Sequence, residues 1–155
     1  MVTVSKNTLS KNIWQNFYQL ISDNVKTVTV NAKSGGTSTI RVKRYTSSNS
    51  DIALDSKNDY PIIVINTPEI EYSALTFKKT MVTGAITVEV YVPNSEASTA
   101  FIDLINSTIQ SNLSDLWDVE LEELYLDDSA SSSFERGSLK IHQKQVTWRF
   151  EYIFE

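Results

Sequence analysis

The chain has 155 residues with 14 basic and 19 acidic side chains, a formal charge of −5 and a sequence pI near 4.9; its length fits one domain, 1–155, that buries roughly 70% of its unfolded surface. The acidic balance argues against a dedicated nucleic-acid binder, whose footprint is a basic stripe that displaces counterions from phosphate, and the lack of cysteine excludes disulfides and Cys-ligated metal sites. The longest aliphatic run, Ile62 to Ile65, is far shorter than the roughly 20 residues that cross a bilayer, and the N-terminal MVTVSKNTLSKNIW lacks the apolar stretch of a secretory signal, so neither membrane insertion nor signal-directed export is expected.

In chain order, Leu9, Ile13, Phe17, Leu20 and Ile21 recur at helical spacing and predict an amphipathic helix over about 8–23. Val28, Val30 and Ala32 alternate with Thr27, Thr29 and Asn31. After the Ser34-Gly35-Gly36 turn signal, Ile40 and Val42 alternate with Thr39, Arg41 and Lys43, so the segment reads as a β-hairpin with one polar face. Residues 46–59 are rich in Ser, Asn and Asp and read as an exposed loop, with a short turn at 52–54 as an option. Tyr60-Pro61-Ile62-Ile63-Val64-Ile65, bounded by Pro61 and Pro68, has the pattern of a short strand covered on both faces.

Leu75 and Phe77 precede a long strand over 81–92, with Ile86, Val88, Val90 and Val92 on one face and Thr87, Glu89 and Tyr91 on the other. Pro93 closes that strand. Asn94 or Ser95 then suits a helix N-cap, Glu96 suits the positive end of the helix dipole, and Phe101, Ile105, Ile109, Leu113 and Leu116 predict a helix over 95–116. Residues 121–126 read either as a strand or as an irregular acidic edge, and 127–133 as a polar loop. From Gly137 the chain returns to β. Leu139 and Ile141 share one parity whereas Val146, Trp148, Phe150, Tyr152 and Phe154 share the other, so a turn or bulge is expected near 143–145. The expected fold class is α+β: an antiparallel or mixed β-sheet with two main helices packed on it, plus a protruding β-hairpin.

Residues suited to bond chemistry are few. The single histidine, His142, rules out a His-pair metal motif and lies in the polar run His142-Gln143-Lys144-Gln145, where an ordinary strand or turn residue is expected. Ser34-Gly35-Gly36-Thr37 lacks the GKS/GKT of a phosphate loop and is followed by a strand pattern, so it reads as a hairpin turn. Asp118, Glu120, Glu122, Glu123, Asp127 and Asp128 crowd six carboxylates into eleven residues without the spacing of an EF-hand, which favours a solvated or interface-facing acidic edge over a metal site.

Basic groups occur at Arg41, Lys43 and Arg44, at Lys78 and Lys79, and at Lys140, Lys144 and Arg149; none interleaves aromatics as a single-strand platform does. The opposed signs suggest that in a homo-oligomer the acidic edge of one subunit meets a basic strand of the next, a heterologous contact that generates rings when the rotation closes. Trp148, Phe150 and Tyr152 hold strict strand parity and are expected in the core. The acceptor patterns at Asn106 and Asn112 lie in a predicted helix and are set aside. No catalytic residue, cofactor or metal is expected. An enzyme would have to work through carboxylates alone, for example Glu120 and Glu122 as acid and base.

The helix at 8–23, the strand at 60–65, the Ile86-Thr87-Val88-Glu89-Val90-Tyr91-Val92 strand running through Pro93 into the helix at 95–116, and the strand at 146–154 together resemble the tail terminator and tail-completion proteins of long-tailed bacteriophages. That resemblance is a pattern over most of the chain rather than a signature motif; the Gly35-Gly36 hairpin and the 46–59 loop are not matched within it. It implies a virion subunit assembled in the host cytoplasm into a ring, typically hexameric, at the head-proximal end of the tail. Its implied partners are the tail tube protein and a head-completion or connector protein, with DNA passing through the lumen without specific binding. Under this reading the interface candidates are Gly35, Gly36, Arg41, Lys43, Glu120, Glu122, Glu123, Lys140 and Lys144, with polar loops beside a rigid sheet supplying recognition. The competing readings are another virion assembly subunit, of tail tube or baseplate, and a monomeric ligand-binding or regulatory module, which a sizeable apolar pocket would favour.

Overall fold

The computed structural model describes residues 8–47, 59–113, 121–136 and 139–154. Helix α1 (Leu9–Asn24) buries the predicted face, Leu9, Ile13, Phe17, Leu20 and Ile21, and with it Asn12 and Asn16. Strands β1 (Thr27–Asn31) and β2 (Thr37–Arg41) form the expected antiparallel hairpin as a separate two-stranded sheet. The backbone N–H of Gly35 donates to the Ala32 carbonyl at 3.0 Å, and both Gly35 (φ 88°) and Gly36 (φ 73°) occupy the left-handed region that side chains resist. Val28 and Val30 join the core while the tip from Lys33 to Thr39 is exposed, so the hairpin is anchored at its base and projects at its turn.

The main sheet has six strands in the order β3-β4-β6-β8-β7, with β5 pairing the free part of β6. Its members are β3 (Arg44–Thr46), β4 (Ile62–Ile65), β5 (Glu69–Ala74), β6 (Thr80–Val92), β7 (Leu121–Arg136) and β8 (Leu139–Phe154). The β3–β4 pair is parallel and the others antiparallel, so the sheet is mixed. Strand β4 is buried at all four positions, as its unbroken apolar run requires.

Helix α2 (Ser95–Ser111) starts at Asn94, whose side chain accepts from the backbone N–H groups of Glu96 (2.9 Å) and Ala97 (3.3 Å). At its described end the Asn112 side-chain amide donates to the Thr108 carbonyl at 2.7 Å, and Leu116, in the expected last turn, lies outside the described residues. Both helices cover one face of the sheet. There Phe101, Ile105 and Ile109 meet Val82, Ile86, Val88 and Val90 of β6 and Val146, Trp148, Phe150, Tyr152 and Phe154 of β8. Each such side chain contributes about 1.5–3 kcal/mol of burial. Two indole groups satisfy their donors across the layers, Trp14 on the Ile65 carbonyl (2.8 Å) and Trp148 on the Asn106 side-chain oxygen (3.2 Å).

The expected bulge near 143–145 is not found. Strand β8 pairs with β6 without interruption from Phe154 to His142, and its parity change reflects two apolar clusters on opposite faces. Ile141 lies in the outer-face cluster with Tyr60, Ile62, Val64 and Tyr91. The register shifts fall in β7 instead, between Leu121 and Glu123 and between Leu126 and Asp128. Residues 127–133, expected as a polar loop, also belong to β7. An edge strand needs no apolar face when its ladder to β8 satisfies the backbone, so composition misleads there. Strand β3 reaches into the expected 46–59 loop at Thr46, most of that loop lies outside the described residues, and β5 is a strand for which the sequence reading had no assignment. No described helix is long and apolar enough to cross a membrane.

Candidate assembly surface

Register places β5 and β7 on opposite sides of the same strand pair. Glu69, Ala85, Arg149 and Tyr125 form one row across β5, β6, β8 and β7, and Ile70, Gly84, Phe150 and Leu124 form the next. Among the described residues β5 pairs only with β6 and β7 only with β8, so each presents an outer row of backbone donors and acceptors. Such edges are templates for pairing with another chain unless they are blunted. Neither is short or proline-bearing; β7 is blunted in part by its register shifts and acidic side chains, yet large apolar side chains are exposed beside both.

On the β5 side these are Tyr72 (61% exposed), Leu75 (46%) and the fully exposed Phe77; on the β7 side they are Tyr125 (43%) and Leu126 (46%). The turn between β5 and β6 is held by the Thr76 hydroxyl, which accepts from the N–H groups of Lys78 (3.2 Å) and Lys79 (3.1 Å). The tip therefore combines an aromatic anchor with two ammonium groups on a defined turn. From the sequence Leu75 and Phe77 stand out only as a prelude to the following strand. Glu69-Ile70-Glu71-Tyr72 alternating before a Lys-Lys turn is the hairpin signal that could have located it.

The outer face of the sheet carries a polar groove of about 520 Å³ bordered by Asn66, Thr87, Glu89, Thr147 and Arg149. At its floor Glu89 is buried and accepts from the Asn66 amide (2.8 Å), the Gln143 amide (3.1 Å) and the Tyr91 hydroxyl (3.2 Å). Gln143 also receives the Ser132 hydroxyl at 2.9 Å, which ties β7 into the network. The Gln143 bonds to Glu89 and Ser132 join β8 to β6 and β7, whereas the Tyr91 hydroxyl closes on Glu89 within β6. No group of three or more His, Asp or Glu among the described residues is arranged to hold a metal ion.

The interface candidates read from the sequence are dispersed. Gly35 and Gly36 form the tip of the β1–β2 hairpin, whose Asn31 N–H donates to Glu96 at 3.3 Å at the start of α2. Arg41 and Lys43 are exposed at the hairpin base, and the Lys43 N–H donates to the Pro61 carbonyl at 2.8 Å. Lys140 and Lys144 lie on β8, an interior strand: Lys140 stands opposite Glu135, and the Lys144 ammonium donates to the Thr99 hydroxyl at 3.1 Å. Glu122 and Glu123 belong to the β7 backbone, and Glu120 lies outside the described residues.

Basic and acidic strands are therefore neighbours within one subunit. Their contact is made by Arg149, whose Nε donates to Asp127 Oδ2 at 2.7 Å; that hydrogen bond and the Asp127 charge raise the guanidinium further above its ordinary range. Lys78-Lys79, by contrast, lies in the turn that leads out of the β5 edge.

No family model matches the chain, and no curated protein matches it. Among solved structures, a chain described as "Virion of native gene transfer agent (GTA) particle" is similar over 72% of this chain and 78% of that chain, with a TM-score of 0.48 and 7% identity. At those values the likeness is a partial overlap of chain path and assigns no role.

Proposed function

We propose that the chain is a structural subunit of a long-tailed phage virion, a tail terminator or tail-completion subunit that forms a ring on the head-proximal end of the tail tube. The observation that carries this reading is the pair of unlike sheet edges, β5 and β7, each without a second strand partner among the described residues and each flanked by exposed apolar side chains. Two different sticky edges on one subunit make heterologous contacts, which close into a ring when the rotation per subunit divides a full turn.

The action is binding alone. One ring face complements the last ring of the tube, and the other denies a further tube subunit its docking surface while offering one to a head-completion or connector protein. DNA crosses the lumen, where a chain of formal charge −5 holds phosphate weakly. A hexamer is the expected ring size.

Light scattering over a range of concentration and salt, with negative-stain imaging and addition of tail tubes, tests the reading. A ring that halts tube growth is the expected result. A strict monomer that leaves tubes growing overturns it and turns attention to small ligands for the polar groove.

A further inference from the structure

We infer that the ring is closed by strand addition, with β5 and the β5–β6 turn of one subunit laid against β7 of a second copy. The inference rests on the ring reading above and names its contact.

Strand direction comes first. Strands β5, β6, β8 and β7 are successively antiparallel, so β7 runs opposite to β5. A second copy rotated about an axis near the strand direction then presents β7 antiparallel to β5, and the ladder continues with the same alternation.

Charge selects the partner edge. Within 121–136 there are five acidic residues and one basic, so β7 against β7 sets like charge on like, whereas 69–79 holds two acidic and two basic residues with both lysines in the turn. Register follows from parity and charge together. On β7 beyond its second register shift, Asp128, Ala130 and Ser132 pair with Thr147, Gln145 and Gln143 and so share the outer face with Glu69, Glu71 and Ser73 of β5, which align with Ala85, Thr83 and Met81.

Placing Ser73 opposite Asp128, Glu71 opposite Ala130 and Glu69 opposite Ser132 keeps every pair on one face and sets both glutamates against small uncharged residues. The turn then runs past Leu126 and Tyr125, bringing Leu75 and Phe77 to apolar partners and Lys78-Lys79 abreast of Glu122-Glu123 in the second copy. A fully exposed Phe77 at the turn end of such a contact supplies the aromatic anchor typical of a hot spot.

The chain has no cysteine, so engineered pairs report without background. Directly opposed residues lie close enough for a disulfide. The variants are Glu71→Cys with Ala130→Cys, Ser73→Cys with Asp128→Cys, and each single change, oxidised at concentrations where light scattering shows assembly. The expected result is a ladder of covalent oligomers from the double variants ending at the ring mass, with no cross-link from the single ones. Phe77→Ser, which alters a solvent-exposed side chain, should keep the native circular dichroism and raise the concentration for half-assembly by at least about tenfold. Dimers from Ala130→Cys or Asp128→Cys alone overturn the inference in favour of β7 pairing with itself. Rings without ladders, and unaffected by Phe77→Ser, overturn it while leaving the ring reading in place. A monomer at every concentration, with and without tail tubes, overturns both.

Discussion

Replacing Gly84 with alanine tests the packing that brings β5 to the sheet. A Cβ at Gly84 would press inside contact distance of the Glu69 carbonyl oxygen and stand 2.6 and 2.9 Å from Cζ and Cε2 of Phe150. Comfortable carbon contacts lie at about 3.5–4.0 Å, so roughly 1 Å must be recovered on two sides at once. One obstacle is backbone, and the other is a ring that is 3% exposed and set edge-on to Tyr152 at 5.8 Å. Overpacking of this kind costs about 1–3 kcal/mol, and both obstacles being stiff places it near the upper end. Relief of the glycine's entropy in a strand returns about 0.5–1 kcal/mol, which leaves a net loss of about 2 kcal/mol.

Urea unfolding should show a lower midpoint at unchanged slope, and the melting temperature should fall by about 4–8 °C. Gly35→Ala is the control: no atom lies within 4 Å of its Cβ, so only the positive φ is strained, at about 1 kcal/mol. A Gly84→Ala protein within about 0.5 kcal/mol of wild type, or one more stable than Gly35→Ala, would refute the argument.

Glu89→Ala strands the donors of Asn66, Gln143 and Tyr91 in a buried site and should cost about 2–4 kcal/mol in urea unfolding; Glu89→Gln, which keeps one acceptor oxygen, should cost less, and the reverse order would sink the account. Tyr45 donates its hydroxyl to the Val25 carbonyl, and burial, opposed by Arg41 and aided by Tyr18, raises its pKa above 10.0. Because the folded state holds the proton more tightly than the unfolded chain, this contribution is complete below pH 10 and is lost as pH rises through the folded value. Tyr45→Phe should lose about 1 kcal/mol at pH 7 and show a shallower alkaline fall than wild type in urea midpoints taken from pH 7 to 11. Parallel falls would remove Tyr45 from the explanation.

Much of the fold is legible in the residues because the code involved is local. Helical spacing in α1 and α2, the Asn94 cap, the unbroken apolar run of β4, the alternation of β6 and the Gly35-Gly36 turn all follow from side chains within a few positions of one another. What tertiary structure decided is which strand stands beside which. The run from Asp127 to Ser133 has no apolar pattern and becomes strand only because β8 offers a ladder. The parity change in β8 looks like a bulge until a second apolar cluster appears on the far face.

The assembly surface illustrates the same division. Charge counts single out the acidic stretch and the basic residues of β8, yet β8 turns out to be interior, so Arg149 is met by Asp127 of its own subunit. The exposed edge falls to β5, whose turn with Phe77 carries a lysine pair that composition ranked no higher than the others. A sequence states what each face can do, whereas exposure is a property of neighbours far along the chain.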